Sequence, residues 1–292
     1  MKSIEVVRYD AFTRTPGHGN PAGVIFDADR YTTEEMQAVA GLAAYNECAF
    51  LCQSEQADLK IRYFAPGREV ALCGHATVAS IYALTEHQGI TQDTEWKVET
   101  GVGIINVRYS HDKGTVTMQQ SDAVFHEFDG NTAALMDAIG LTVDDLDSRY
   151  PIVFGSTGDW TTIVPIKTLE AFSRMCPDNA SFPAALGSKP RASVHPIILS
   201  AYDPDCRMHG RHFSSPVSGT VEDSVTGTAS GVMSAYLLRY MEPKESVSLQ
   251  IEQGTEIGRE GKVRVSAQVN GDAIHVRIAG QAVRNCSFTV NL

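Results

Sequence analysis

Residues 45–51 read YNECAFL, and they place the carboxyl of Glu47 at the mouth of an apolar segment. A run of this kind reads as a buried strand. A carboxylate buried without a partner is costly and has its pKa pushed upward. Glu47 is therefore either a strand-end glutamate satisfied by backbone amides or a general acid/base. His75 stands at the start of a candidate helix, GHATVASIYALTEHQG (74–89). It is either a satisfied structural histidine or a group that bonds substrate or shares a proton with Glu47. Glu222-Asp223 lies shortly before a second helix start, Gly227-Thr228. Asp223 could orient a substrate amine or hydroxyl, or pair with His75. The plainer reading is an acid favoured near a helix N-terminus.

The two helix starts, Gly74-His75-Ala76-Thr77 and Gly227-Thr228-Ala229-Ser230, resemble each other. The first amide N–H groups of a helix lack intrahelical partners and attract anions. Glycine allows a ligand close to the backbone. Facing one cleft, the two starts would suit a small carboxylate. Cys73 precedes the first helix, and Thr226 holds the matching place before the second. Threonine cannot serve as a thiolate base, so a two-thiol racemase is disfavoured. Cys73 itself reads as a small buried hydrophobe. Cys206, His209 and His212 offer three metal ligands, but period two divides them between strand faces, and no metal site is expected there. No phosphate-cradling glycine motif and no nucleophile elbow is present.

Short alternating segments must position these residues: LKIRYF (59–64), GIINVRY (103–109), TVTM (115–118), KVRVSAQV (262–269) and AIHVRIA (273–279). Their period predicts antiparallel strands. TTEEMQAVAGLAAY (32–45) and NTAALMDAIG (131–140) begin at cap residues and read as helices. GHATVASIYALTEHQG and GTASGVMSAYLLRYME (227–242) are small and apolar on nearly all faces, the pattern of buried helices. Each follows a similar approach, FAPGREVALC (64–73) and FSSPVSGTVEDSVT (213–226), which predicts an internal duplication. The expected fold is α+β: two pseudo-symmetric halves, each a curled, mostly antiparallel, barrel-like sheet round a central helix. The expected halves are 1–122, joined by a C-terminal strand 281–292, and 128–280.

With 292 residues, 43% of them hydrophobic, the chain can bury a sizeable core. Its net charge of −11 and lack of a basic cluster argue against nucleic acid and anionic membranes as partners. The N-terminus has no signal-peptide pattern, and no apolar run reaches spanning length. Six cysteines without framework spacing read as reduced thiols of a cytoplasmic protein.

Five motifs in order, GNPAGVIFDA (19–28), NECAF (46–50), RYFAPGREVALCGHAT (62–77), FSSPVSGTVEDSVTGTASG (213–231) and QGTEIGREG (253–261), resemble the phenazine biosynthesis PhzF-like family, of the diaminopimelate-epimerase-like fold. The resemblance implies an active-site cleft between the halves and an isomerase in which one glutamate moves a proton on a cyclic acid. It implies no metal and no organic cofactor. It assigns catalysis to Glu47, His75 and Asp223, and substrate binding to Asn20, Gly74, Gly227 and Thr228. It also implies a homodimer. Thr228 stands where the family's isomerase has serine, and Asn-Glu-Cys-Ala-Phe replaces Ser-Glu-Thr-Thr-Phe, so the pocket differs from that of the phenazine enzyme. Two other functions are open: an amino- or imino-acid epimerase or dehydratase using Cys73, and a non-catalytic protein that binds small acids.

Overall fold

The computed structural model describes residues 2–218 and 220–292. Two compact units emerge, one formed by 1–119 with 279–292 and the other by 120–278. The architecture is α+β, rich in sheet, and the sheet curls without closing into a barrel.

In the first unit the N-terminal strand Ser3–Ala11 pairs antiparallel with both Asn20–Ile25 and the C-terminal strand Ala282–Asn291. Asn20–Ile25 then runs parallel to Glu47–Cys52, with Ala22 opposite Glu47. Glu47–Cys52 in turn pairs antiparallel with Leu59–Ala65. Having neighbours on both edges and apolar cover on both faces, Glu47–Cys52 does not alternate. Cys48, Ala49 and Phe50 are all fully buried. Period two persists in Thr94–Thr100 and Gly103–Ser110, which form an antiparallel pair.

The helix Thr33–Ala43 begins at a capping box: Glu35 N–H donates to Thr32 Oγ1, and Thr32 N–H donates to the Glu35 carboxylate. Its Met36, Val39 and Ala40 pack on Ile25, Phe50 and Phe64. The helix Gly74–Gln88 is buried from His75 through Ile81. Its polar positions Thr77, Ser80 and Thr85 are small enough to be enclosed. It ends at Gly89, whose φ of 64° lets its N–H reach the Thr85 and Glu86 carbonyls.

The second unit carries its own core. Phe154, Phe172, Phe182 and Phe213 are each fully buried and belong to one cluster with Leu135, Met136 and Val194. Asn131 caps the helix Thr132–Ala138 by accepting from Ala134 N–H. Trp160–Pro165 runs parallel to Ser193–Ile198, and Ser246–Gln253 antiparallel to Gly261–Asn270. The helix Gly227–Tyr236 is buried at nine of its residues and continues as a π-helical turn, Leu237–Met241. Tyr236 is fully buried yet donates its hydroxyl to the Pro151 carbonyl at 2.6 Å. Among the described residues no helix is long and apolar enough to cross a membrane.

Candidate active site

Glu47 is the first residue of its strand, so the buried residues behind it fix its backbone while its carboxylate leaves the core. Its side chain keeps 22% exposure, against 8% for His75. His75 is the second residue of the buried helix, and its Nε2 lies 3.3 Å from Glu47 Oε2. Cys73 caps that helix in an extended conformation without a side-chain cap bond. Its thiol instead points to the same carboxylate, with Sγ 3.6 Å from Glu47 Oε2 and 3.4 Å from His75 Nδ1. The expectation that Cys73 is a buried apolar filler is thus corrected: the residue is partly exposed and sits among polar groups.

The helix start beneath this trio is held by hydroxyl bonds. The Cys73 carbonyl accepts from Thr77 N–H at 2.9 Å and from Thr77 Oγ1 at 2.7 Å. Buried Tyr63 lies 2.7 Å from that same hydroxyl. Three proton-exchanging side chains therefore meet at one rigid corner, close to the positive end of a helix. A proton can pass among carboxylate, imidazole and thiol there without long side-chain excursions. The neighbouring thiol of Cys48 is different: burial pushes its pKa up to about 12, and it takes no part in this chemistry at neutral pH. Asn20 begins the strand beside Glu47–Cys52 and is fully buried, and Gly74 opens the helix.

In the second unit Asp223 belongs to the short strand Glu222–Asp223, which pairs with His212–Phe213. Arg211 clamps the preceding Glu222 by two hydrogen bonds, 2.9 and 2.6 Å, and donates to the Phe172 and Met175 carbonyls as well. Asp223 accepts from Thr226 Oγ1 at 2.5 Å, and Gln253 Nε2 donates to the Asp223 carbonyl at 2.7 Å. Thr226 caps the second buried helix, Gly227 is its first residue, and the Thr228 carbonyl accepts from Thr157 Oγ1 at 3.0 Å. The sequence reading missed the part played by Gln253, which is far away along the chain and carries no local signal.

Cys206, His209 and His212 do not converge on an ion. His209 is spanned by carboxylates, with Nδ1 3.0 Å from Glu252 and Nε2 3.0 Å from Glu256. His212 Nδ1 lies instead 3.1 Å from His195 Nδ1. Burial lowers the pKa of both His195 and His212. Among the described residues the one cluster with metal-ligand character is Glu47, Cys73 and His75.

Comparison with known proteins gives a consistent result. The family model described as phenazine biosynthesis-like protein matches residues 9–287. An uncharacterized isomerase, YfhB of Bacillus subtilis (strain 168), is 49% identical over 285 residues, covering 97% of each chain. The trans-2,3-dihydro-3-hydroxyanthranilate isomerase of Pseudomonas chlororaphis is 28% identical, covering 94% of each. A crystal structure of a phenazine biosynthesis protein of the PhzF family from Bacillus anthracis superposes with a TM-score of 0.96 at 45% identity, covering 100% of both chains.

Proposed function

Given that this chain belongs to the phenazine biosynthesis-like protein family and is an enzyme of the isomerase class, we propose that it moves a proton on a small cyclic or unsaturated carboxylic acid, with Glu47 as the general acid/base. The observation that carries this reading is the meeting of Glu47 with His75 and Cys73 at a buried helix start. An isomerisation by proton transfer takes a proton from one carbon and returns it to another. A single carboxyl group suffices if it can be ionised for the first half and protonated for the second. Glu47 takes the proton, and His75 Nε2, 3.3 Å away, steadies the carboxylate and the shared charge. The amides at Gly74 and His75 favour an anionic substrate group. In this reading Asp223 of the second unit joins the catalytic set by orienting a substrate amine or hydroxyl, and Asn20, Gly74, Gly227 and Thr228 bind substrate. The reaction needs neither a metal nor an organic cofactor.

A second reading draws on Cys73. A thiol 3.4 Å from an imidazole and 3.6 Å from a carboxylate is placed to act as a base itself, as an epimerase or dehydratase of an amino or imino acid would require. In D2O with a panel of small cyclic and unsaturated acids, proton NMR separates the two. Solvent deuterium entering a substrate with the wild type and not with Glu47→Gln supports the carboxylate mechanism. Uptake that survives Glu47→Gln and disappears in Cys73→Ser would transfer the role to the thiol.

A further inference from the structure

Proton transfer by Glu47 leaves two buried histidines of the second unit unused. His195 and His212 share one row of the sheet with Asp223. Val194 pairs with Phe213 across antiparallel strands, which sets His195 beside His212, and His212 pairs in turn with Asp223. Residues opposite one another in antiparallel strands point to the same face. The row therefore runs on one face from fully buried His195, through His212, to half-buried Asp223.

The partners fix where the protons sit. His195 Nε2 lies 3.0 Å from Met233 Sδ, and the two Nδ1 atoms lie 3.1 Å apart. A thioether accepts and never donates, so His195 carries its proton on Nε2. His195 Nδ1 is then an acceptor, and His212 Nδ1–H donates to it. A neutral imidazole holds one N–H, so His212 Nε2 is left as an acceptor. Burial lowers the pKa of both rings and keeps the pair neutral at pH 7. The fit is tight: a Cβ on Gly210 would stand 2.8 Å from His195 Nε2. Among the described residues Nδ1 makes the only side-chain hydrogen bond of His212, and Nε2 is not sealed from solvent. The carboxylates near this ring are those of Asp223 and of Asp159, which stands just before the strand Trp160–Pro165. An ammonium group, with several N–H donors and a positive charge, suits one imidazole acceptor beside two carboxylates better than a hydroxyl does.

We propose that His212 Nε2 accepts a hydrogen bond from an ammonium group of the substrate, and that His195 is the positioning residue that holds His212 in the accepting tautomer. The substrate class narrows to small cyclic acids that carry an amine. The assignment rests on the reading that Asp223 orients the substrate.

Two measurements on the full chain test it. The first is two-bond 1H–15N correlation spectroscopy at pH 7, with His212 assigned by its loss in His212→Phe or, should that variant fail to fold, through the backbone. Expected is a protonated Nδ1 and a bare Nε2 on His212, and the opposite tautomer on His195. His195→Leu should move the His212 proton to Nε2. The second is calorimetric titration with 2-aminocyclohexanecarboxylate, its 2-hydroxy counterpart and cyclohexanecarboxylate. Wild type should prefer the amino acid to either of the others by about tenfold or more, and His212→Phe should reduce that preference about tenfold, the worth of one hydrogen bond. Asp223→Asn checks the underlying reading: a preference kept there and lost in His212→Phe would remove Asp223 from the site and leave His212 in it. Neither measurement needs turnover, so a failure of the Glu47 mechanism in the deuterium assay is read separately. Nε2–H or an imidazolium on wild-type His212 would overturn the tautomer, and a tautomer indifferent to His195→Leu would overturn the positioning role. No preference in the wild type, whether all three acids bind or none does, or a preference that survives His212→Phe, would overturn the contact.

Discussion

The two buried helices start alike and are used differently. Each has an extended cap residue without a side-chain cap bond, Cys73 at φ −141°, ψ 117° and Thr226 at φ −114°, ψ 108°. Four residues on, each has a hydroxyl that donates back to the cap carbonyl, Thr77 at 2.7 Å and Ser230 at 2.9 Å. The difference lies in the cap side chain and what it meets. Cys73 meets a carboxylate and an imidazole, and all three are ionisable groups. Thr226 cannot ionise; its hydroxyl donates to Asp223, while Gln253 Oε1 accepts from its N–H at 3.1 Å. One scaffold therefore supports a reactive corner in the first unit and a hydrogen-bonded platform in the second. The buried charges of the second unit follow the same division: Arg211 on Glu222 and His209 between Glu252 and Glu256 hold structure.

The largest expected effect tests the reactive side. Glu47→Gln keeps the shape but removes the carboxyl proposed as the acid/base group, and on that proposal the exchange rate should fall about 10²–10⁴-fold. The thermal midpoint should barely change, because the side chain lies outside the packed core. A large drop in midpoint would make Glu47 a structural residue like Glu222.

His209→Gln should be the costliest for stability, at about 3 kcal/mol or more, since it strands two nearly buried carboxylates. Burial opposes the His209 charge, but Glu252 and Glu256 outweigh it and hold its pKa above the ordinary value. The stabilisation is therefore complete below about pH 6.5 and disappears as pH climbs past the raised folded value. Denaturant melts of both proteins at about pH 6 and about pH 9 should show the gap narrowing upward. A gap that widens with pH would reverse the assignment.

Thr226→Val sharpens the platform side. Loss of the bond to partly exposed Asp223 should cost about 1 kcal/mol in a melt. Its kinetic effect should fall on KM more than on kcat, because binding and not proton transfer is disturbed. A kcat loss comparable to that of Glu47→Gln would erase the distinction between the two helix starts.

Much of this arrangement was legible in the sequence. The capping box at Thr32 and Glu35, the Asn131 cap and the two all-apolar helices are local patterns, written within a few residues. The alternating segments LKIRYF, GIINVRY and KVRVSAQV are strands because one face of each is wet. SVHPII (193–198) gave no such signal: all six residues are buried, and a histidine within it breaks the apolar run. His209 with its glutamates, and Thr226 with Gln253, are pairings that only the tertiary fold creates. So is the contact of Cys73 with Glu47. The clue available was positional, since Cys73 occupies the cap place that the duplicated half gives to Thr226, but spacing alone does not show which way a cap side chain points.

The central claim is that the proton travels on Glu47 and that Cys73 only supports it. Deuterium uptake into one exchanging acid at saturating concentration, with wild type, Glu47→Gln and Cys73→Ser side by side, tests it directly. The account predicts that Glu47→Gln loses exchange while Cys73→Ser stays within about tenfold of wild type, the worth of one hydrogen bond. Exchange that persists in Glu47→Gln and vanishes in Cys73→Ser would contradict it.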